Sequence, residues 1–347
     1  MRDLDVDNWL NTIVPSSIFK DLTNAGQINP NKLKSNPEQF RDISEKEWVY
    51  KKVFDAGPNI LEATRIELVF EGLDTIATIW LNDRLIAKTD NMFIEHRFDV
   101  TSLLKPHNNC LIVKFGSSID CAEKLMNRYG KLTELYFGHP YRCYIRKAQY
   151  QFGWDWGPDL PGCGIFRNVR LESLSKSRIK DLHIRTIDCN ENYADVRIAF
   201  GIEKINAAEN LFCNLTIDGH GLNINQKLSA HHHDNMISAV VRIDDPQLWW
   251  PNGYGQQNLY KAQIQLHCDD EVIDCANEEF GIRDIQLNTE NDEYGNKFQF
   301  VVNDKPIFAK GACWIPDTIF PGTLTDADYE KSIKMAADAN INMLRVW

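Results

Sequence analysis

From Trp48 onward, apolar and polar positions alternate in short runs, the period of a strand with one buried face. In Arg65–Phe70, Ile66, Leu68 and Phe70 fall on one face and Arg65, Glu67 and Val69 on the other. Similar runs, rich in β-branched and aromatic residues, fill Trp48–Phe54, 73–82, 111–115 and 165–170. They resume at 179–186, 194–200 and 211–217. Turn residues separate the runs, and Asn82-Asp83 is expected to close a hairpin. With no long helical period among them, such strands predict antiparallel sandwiches. Residues 1–45 lack the alternation, carry Pro15, Pro30 and Pro37, and read as loop-rich. Between 177 and 285, roughly seven short strands in about 100 residues match the size of an immunoglobulin-like sandwich.

Past 285 the pattern changes. A hairpin strand at 298–302 turns at Asn303-Asp304, a short buried strand follows at 307–312, and 313–317 reads as a loop. Thr325, with Asp328 three residues on, opens a helix in which Tyr329, Ile333, Ala336, Ala337 and Asn340 recur at helical spacing. Residues 341–347 form another strand. Strand, helix, strand predicts a right-handed crossover, the first repeat of a (β/α)8 barrel. Fewer than ~65 residues follow the junction, whereas such a barrel takes roughly 250. The barrel is therefore expected to be incomplete and the chain an amino-terminal fragment. The expected organisation is mainly β, with domains at 1–176, 177–285 and 286–347.

Composition narrows the function classes. The chain has 347 residues, 43% hydrophobic and 25% charged, which suits two or three ordinary globular domains. A net charge of −11 argues against nucleic acid or an anionic membrane surface as partner. Residues 1–20 begin acidic and lack an apolar core, so no signal peptide is read there, and no run approaches the ~20 apolar residues of a membrane span. The compartment is left open. Nine cysteines show neither a C-x-x-C pair nor zinc spacing and are expected to be mostly reduced, buried thiols. Three consecutive histidines, His231 to His233, cannot all point one way on a strand, and Asp234-Asn235 beside them favours an exposed polar loop over a metal site. Asn214-Leu215-Thr216 matches the glycosylation acceptor pattern, one that also arises often by chance.

The candidate chemistry lies in Gly153-Trp154-Asp155-Trp156-Gly157-Pro158, where two indoles flank one carboxylate. On an extended segment the two rings take one side and Asp155 the other. Gly157-Pro158 and Pro161-Gly162 are expected to break any ladder, leaving a loop or a strand running into a loop. Two readings stand. Aromatic rings stack on the apolar faces of a sugar while a carboxylate accepts from its hydroxyls; alternatively, both indoles plug a sandwich core and Asp155 caps a turn.

The longer run Arg146-Lys147-Ala148-x-Tyr150-x-x-Gly153-Trp154-Asp155-Trp156-Gly157-Pro158 resembles the signature of β-mannosidases in glycoside hydrolase family 2. Other segments resemble the same family in the expected order: 9–15, 73–82 with 90–93, 248–255 with Leu259-Tyr260, and Phe280-Gly281-Ile282-Arg283. Ser16 stands where glycine is usual, and Cys313 where a polar residue such as asparagine is usual. The resemblance implies a jelly-roll sugar-binding sandwich, then the immunoglobulin-like sandwich, then the barrel. It implies that Trp154 and Asp155 reach a mannose-binding pocket, and that Arg345 and Trp347, at the carboxyl end of a barrel strand, line it. Arg345 can instead form an ion pair inside the barrel. Residues 248–255 are expected to form a structural bend that packs one sandwich on its neighbour.

The implied activity is removal of terminal β-mannosyl units from oligosaccharides, with retention and without a metal or organic cofactor. Retaining glycosidases need two carboxyl groups about 5–5.5 Å apart. The family places both on later barrel strands, so no catalytic residue is expected in this chain, and by itself it is expected to be inactive. Its partners are then a mannose-containing oligosaccharide and the rest of its own barrel. β-Galactosidases and β-glucuronidases share the layout but lack Trp-Asp-Trp-Gly-Pro. The reading from another class is a carbohydrate-binding or scaffold sandwich without turnover.

Overall fold

The structure, a computed structural model, describes residues 9–132, 139–205, 210–229 and 236–347. His231, His232 and His233 lie outside the described residues. The chain forms two compact units, Met1–Leu174 with Pro316–Asp326 and Ser175–Ile315 with Ala327–Trp347.

The first unit is a sandwich of antiparallel sheets. Its strands are β1 (Trp48–Phe54), β2 (Arg65–Phe70), β3 (Leu73–Asp74), β4 (Ala77–Leu81), β5 (Arg84–Thr89), β6 (His96–Asp99), β7 (Asn109–Phe115), β8 (Phe152–Trp154), β9 (Gly157–Asp159), β10 (Gly164–Ile165) and β11 (Val169–Leu174). One sheet runs β1-β7-β4-β5 and the other β11-β2-β6. Ile66, Leu68 and Phe70 from the second sheet share a core with Ile79, Leu81, Val113 and Phe115 from the first. The alternation of apolar positions produces this jelly-roll core directly. Asn82 and Asp83 both take positive φ (48° and 66°) in the two-residue turn between Leu81 and Arg84, as a hairpin of matching twist requires.

Three expectations need correction here. Residues 1–45 are not mainly loop: Ile18–Asn24, Pro30–Ser35 and Arg41–Glu45 are helical. Pro30 sits at a first helical position, where its missing N–H is no loss, and Asn29 Oδ1 accepts from Asn31 N at 2.9 Å. The alternation also hid the helix Ser118–Tyr129, capped by Ser117 Oγ, which accepts from Asp120 N at 3.2 Å. Finally, Glu67 and Val69 on the polar face of β2 are as buried as its apolar face. Arg65 and Arg97 cover Glu67, and Arg97 also binds Glu172. Burial alone would raise the Glu172 pKa, but hydrogen bonds from Arg97 and Arg170 outweigh it and draw it down to about 2.

The second unit begins with seven strands, β12 (Arg178–Cys189), β13 (Tyr193–Glu203), β14 (Leu211–Gly219), β15 (Leu222–Ser229), β16 (Met236–Asp244), β17 (Tyr260–Cys268) and β18 (Glu271–Phe280). Sheets β12-β13-β16 and β15-β14-β17-β18 make the immunoglobulin-like sandwich. Its core is written in period two: Ala194, Val196, Ile198 and Phe200 on β13 meet Cys213, Leu215 and Ile217 on β14 and Ile264 and Leu266 on β17. Next come β19 (Ile285–Asn288), a small hairpin of β20 (Asn291–Asp292) and β21 (Gly295–Asn296), then β22 (Gln299–Val302) and β23 (Lys305–Ile307). Asn303 and Asp304, both at positive φ, make the turn between the last two.

The barrel repeat is present with shifted bounds. The strand lies at β24 (Gly311–Trp314), later than expected and including residues assigned to a loop. It pairs in parallel with β25 (Met343–Val346) through the helix Asp326–Asp338. The helix buries none of its residues, and Ile333, Met335 and Val346 are exposed. Few apolar contacts oppose local opening there, so amides of β24, the helix and β25 are expected to exchange faster than those of β13, β14 and β17. Hydrogen-exchange mass spectrometry checks this, and equal protection in the two regions contradicts it.

The Leu248–Gly255 region makes several contacts within the second unit. Asn303 Nδ2 donates to Trp249 O at 3.0 Å, Asn252 Nδ2 donates to Ile341 O at 3.1 Å, and Tyr254 OH accepts from Phe308 N at 3.0 Å. These bonds tie the sandwich to the hairpin and barrel repeat that follow it. The nine cysteines form no disulfide, but only Cys163 and Cys213 are buried. Cys143, Cys275 and Cys313 are exposed, so burial is not what their residue type dictates at those places.

Candidate functional site

The segment 152–159 folds as a tight antiparallel hairpin. Phe152 pairs with Asp159 and Trp154 with Gly157, which leaves Asp155-Trp156 as the two-residue turn. The extended alternation expected for the two indoles is therefore corrected, and Gly157-Pro158 belongs to the ladder it was expected to break. Gly153 holds φ +90°, open to glycine without strain. Gly157 is buried, and a Cβ there would meet Ile319 Cγ2 at 3.0 Å. Pro316–Asp326 belongs to this unit, where Phe320 stacks on Phe19 at 5.0 Å and Lys20 Nζ donates to Thr323 O at 3.3 Å.

Buried polar groups hold the base of the hairpin. Lys147 Nζ, fully buried, pairs with Asp74 at the end of β3 and donates to Gly162 O at 2.8 Å. Gln151 Nε2 donates to Asp74 Oδ2 at 3.2 Å, while its Oε1 accepts from Gly162 N at 3.0 Å. The residues before and after the hairpin are thereby fastened to each other and to the sheet. Burial pushes the Lys147 pKa down against the attraction of Asp74, and burial pushes the neighbouring Cys163 thiol up. Tyr50, raised well above its ordinary value by burial and the nearby Cys163 and Asp21, donates to Asp21 Oδ2 at 2.6 Å.

On the other side, Asp159 of β9 forms an ion pair with Arg41 and accepts from His139 Nε2 at 2.9 Å, with the ring nitrogen taken as protonated. Burial and the adjacent Arg41 lower the His139 pKa, so the ring bonds Asp159 as a neutral donor near neutrality. Phe152 is fully buried with Ile119, Ala122, Tyr141 and Ile145.

These anchors leave the tip to three side chains. Trp154 is half-buried, with the Arg142 guanidinium 5.0 Å from its ring centroid. Trp156 is half-buried against Tyr150, ring centroids 5.4 Å apart. Neither indole joins a core cluster, so the core-plug reading does not hold. Asp155 is exposed, and its carboxylate has no hydrogen bond or ion pair among the described residues. Acceptor oxygens on a rigid turn between two ring systems can take hydrogen bonds from sugar hydroxyls while a ring covers a C–H face.

Arg345 and Trp347 belong to the second unit. Arg345, exposed on β25, faces its register partner Cys313, with Nη1 3.7 Å from Sγ, and has no ion pair among the described residues. Cys313 thus supplies a weak acceptor opposite the arginine. Trp347 N donates to Trp314 O at 2.9 Å, extending the β24–β25 pairing by one residue. No group of three or more His, Cys, Asp or Glu among the described residues has the arrangement to hold a metal ion, and no helix of the described residues is long and apolar enough to cross a membrane.

Comparison with known proteins agrees along the whole length. The glycosyl hydrolase 2 galactose-binding domain-like model matches residues 1–167, and the glycosyl hydrolases family 2 model matches 177–283. The chain belongs to glycosyl hydrolase family 2. Within that family it is similar to β-mannosidase B of Emericella nidulans, 34% identical over 350 residues, 99% of this chain and 41% of the relative. β-Mannosidase B of Aspergillus clavatus is 32% identical over 351 residues, 100% of this chain and 41% of the relative. The crystal structure of the β-D-mannosidase from Dictyoglomus thermophilum superposes with a TM-score of 0.93 at 35% identity, over 99% of this chain and 42% of that one. The chain thus spans about two fifths of the length of these relatives.

Lys147 and Gln151 lie inside the family signature, yet sequence reasoning passed over them as structural determinants. Their signal was two long polar side chains four residues apart just before an aromatic cluster. Arg142 and Asp159 stood outside the segments singled out, and Asp74 lay within 73–82 with nothing to show its partner, because the roles of all three arise from contacts distant in sequence.

Proposed function

We propose that this chain supplies the substrate-facing sandwiches and the first barrel repeat of a retaining exo-β-mannosidase, which releases terminal β-D-mannose from the non-reducing ends of oligosaccharides. The observation that carries the proposal is the end-to-end likeness to β-mannosidases, at 34% identity over 99% of the chain. In this reading the domains are 1–176, 177–285 and 286–347. Trp154 and Asp155 bind the terminal mannose, Asp155 by accepting from its hydroxyls, and Arg345 and Trp347 line the pocket. Double displacement takes two carboxyl groups about 5–5.5 Å apart. Asp155 alone does not meet that need, so the acid/base and the nucleophile are assigned to later barrel strands beyond residue 347.

The test is hydrolysis of an aryl β-mannoside, beside the β-galactoside and β-glucuronide, by this 347-residue chain and by the product of its complete reading frame. Turnover of the mannoside by the longer protein alone is expected. Turnover by the 347-residue chain overturns the placement of the catalytic pair. Silence from both favours a carbohydrate-binding sandwich without turnover.

A further inference from the structure

We infer that Arg142 is the positioning residue for the Trp154 ring, a role that rests on the reading of Trp154 as a mannose-binding side chain. Arg142 is only 5% exposed, yet among the described residues it has no carboxylate partner. A buried guanidinium without a counter-charge is costly to keep, and burial lowers its pKa. What compensates it lies in the hairpin. Its cationic plane sits 5.0 Å from the Trp154 ring centroid, and Nη1 donates to Gly153 O at 3.4 Å. Both contacts fall on the residues leading into the Asp155 turn.

Arg142 is itself held firmly. It lies in the turn Pro140–Tyr144, where Tyr141 packs with Ile145 and Phe152 in one buried cluster. Gln149 Nε2 donates to its carbonyl at 3.0 Å, linking that turn to the motif segment. A cation on the ring face opposes tilting of the indole, and desolvation strengthens the attraction. Asp155 is held by the turn geometry, and Arg142 is a contact that holds the indole in its orientation. The guanidinium acts on the sugar through Trp154 and does not touch it.

The test uses the longer protein and an aryl β-mannoside. Arg142→Met is expected to raise KM about tenfold with kcat within about twofold, and Arg142→Lys, which keeps a cation over the ring, to recover most of that loss. In a Trp154→Leu background the same Arg142→Met change is expected to alter KM by less than about twofold, because the ring it orients is gone. A full tenfold effect in both backgrounds overturns the inference, and so does a fall in kcat at constant KM. Near-ultraviolet circular dichroism of the 347-residue chain gives a second measurement that needs no turnover. The signal removed by Trp154→Leu should already be missing from Arg142→Met, and equal loss in both backgrounds overturns the inference. A longer protein silent on the mannoside overturns the proposed activity, while the dichroism still decides the role of Arg142.

Discussion

Replacing Asp155 by alanine is expected to lower kcat/KM of the longer protein on an aryl β-mannoside by roughly 10²–10³-fold without moving the unfolding midpoint. A charge-assisted hydrogen bond from a sugar hydroxyl to a carboxylate is worth about 1.5–2 kcal/mol at the lower end of its usual range, so losing two of them costs about 3–4 kcal/mol, which is the stated range. Stability is untouched because Asp155 is exposed and bonds to nothing among the described residues; the hairpin is fastened through Lys147, Gln151, Phe152 and Asp159. Asp155→Asn keeps the shape and one acceptor oxygen and should fall between alanine and the wild type. A loss below about threefold for the alanine variant removes Asp155 from the binding site. A similar loss accompanied by a clearly lower midpoint makes it a structural residue instead.

The same hairpin shows what a sequence can and cannot disclose. Strands with one apolar face were legible because burial follows a period of two, and the turns at Asn82-Asp83 and Asn303-Asp304 because those residue types tolerate positive φ. The helices at Pro30–Ser35 and Ser118–Tyr129 were not: the first has under two turns and no buried residue, and the second, a single helix set among strand runs, was passed over with the strands around it. Glu67 shows the limit of a face-by-face reading: its burial depends on Arg97, thirty residues away in sequence, crossing the sheet to pair with it. The geometry of the Trp-Asp-Trp run was not legible. Its hairpin depends on a buried lysine reaching β3, on Arg41 reaching Asp159, and on Ile319, far along the chain, closing over Gly157. None of these distances is encoded locally.

Lys147→Met is expected to destabilise the first unit by about 3–5 kcal/mol, the cost of leaving a buried charge without its partner. Lys147 and Asp74 are both fully enclosed, at 0% and 2% side-chain exposure, so solvent cannot screen the stranded carboxylate. Methionine fills the aliphatic volume of the lysine but supplies no donor to Asp74 or to Gly162 O. The second substitution separates charge from packing. In Lys147→Met/Asp74→Asn the side chain at 74 is neutral and still has an oxygen to accept from Gln151 Nε2, so most of the lost stability should return. Urea denaturation of the 347-residue chain, read at the transition assigned to the first unit, measures both. An unchanged midpoint in the single variant shows that the pair contributes nothing net. A double variant as unstable as the single one assigns the loss to packing or to the bond with Gly162, not to electrostatics. Because Lys147 joins the residues before and after the hairpin, the single variant should also weaken mannoside turnover in the longer protein at temperatures where the unit stays folded. Loss of stability with KM and kcat intact would mean that the tip holds its shape without the buried pair.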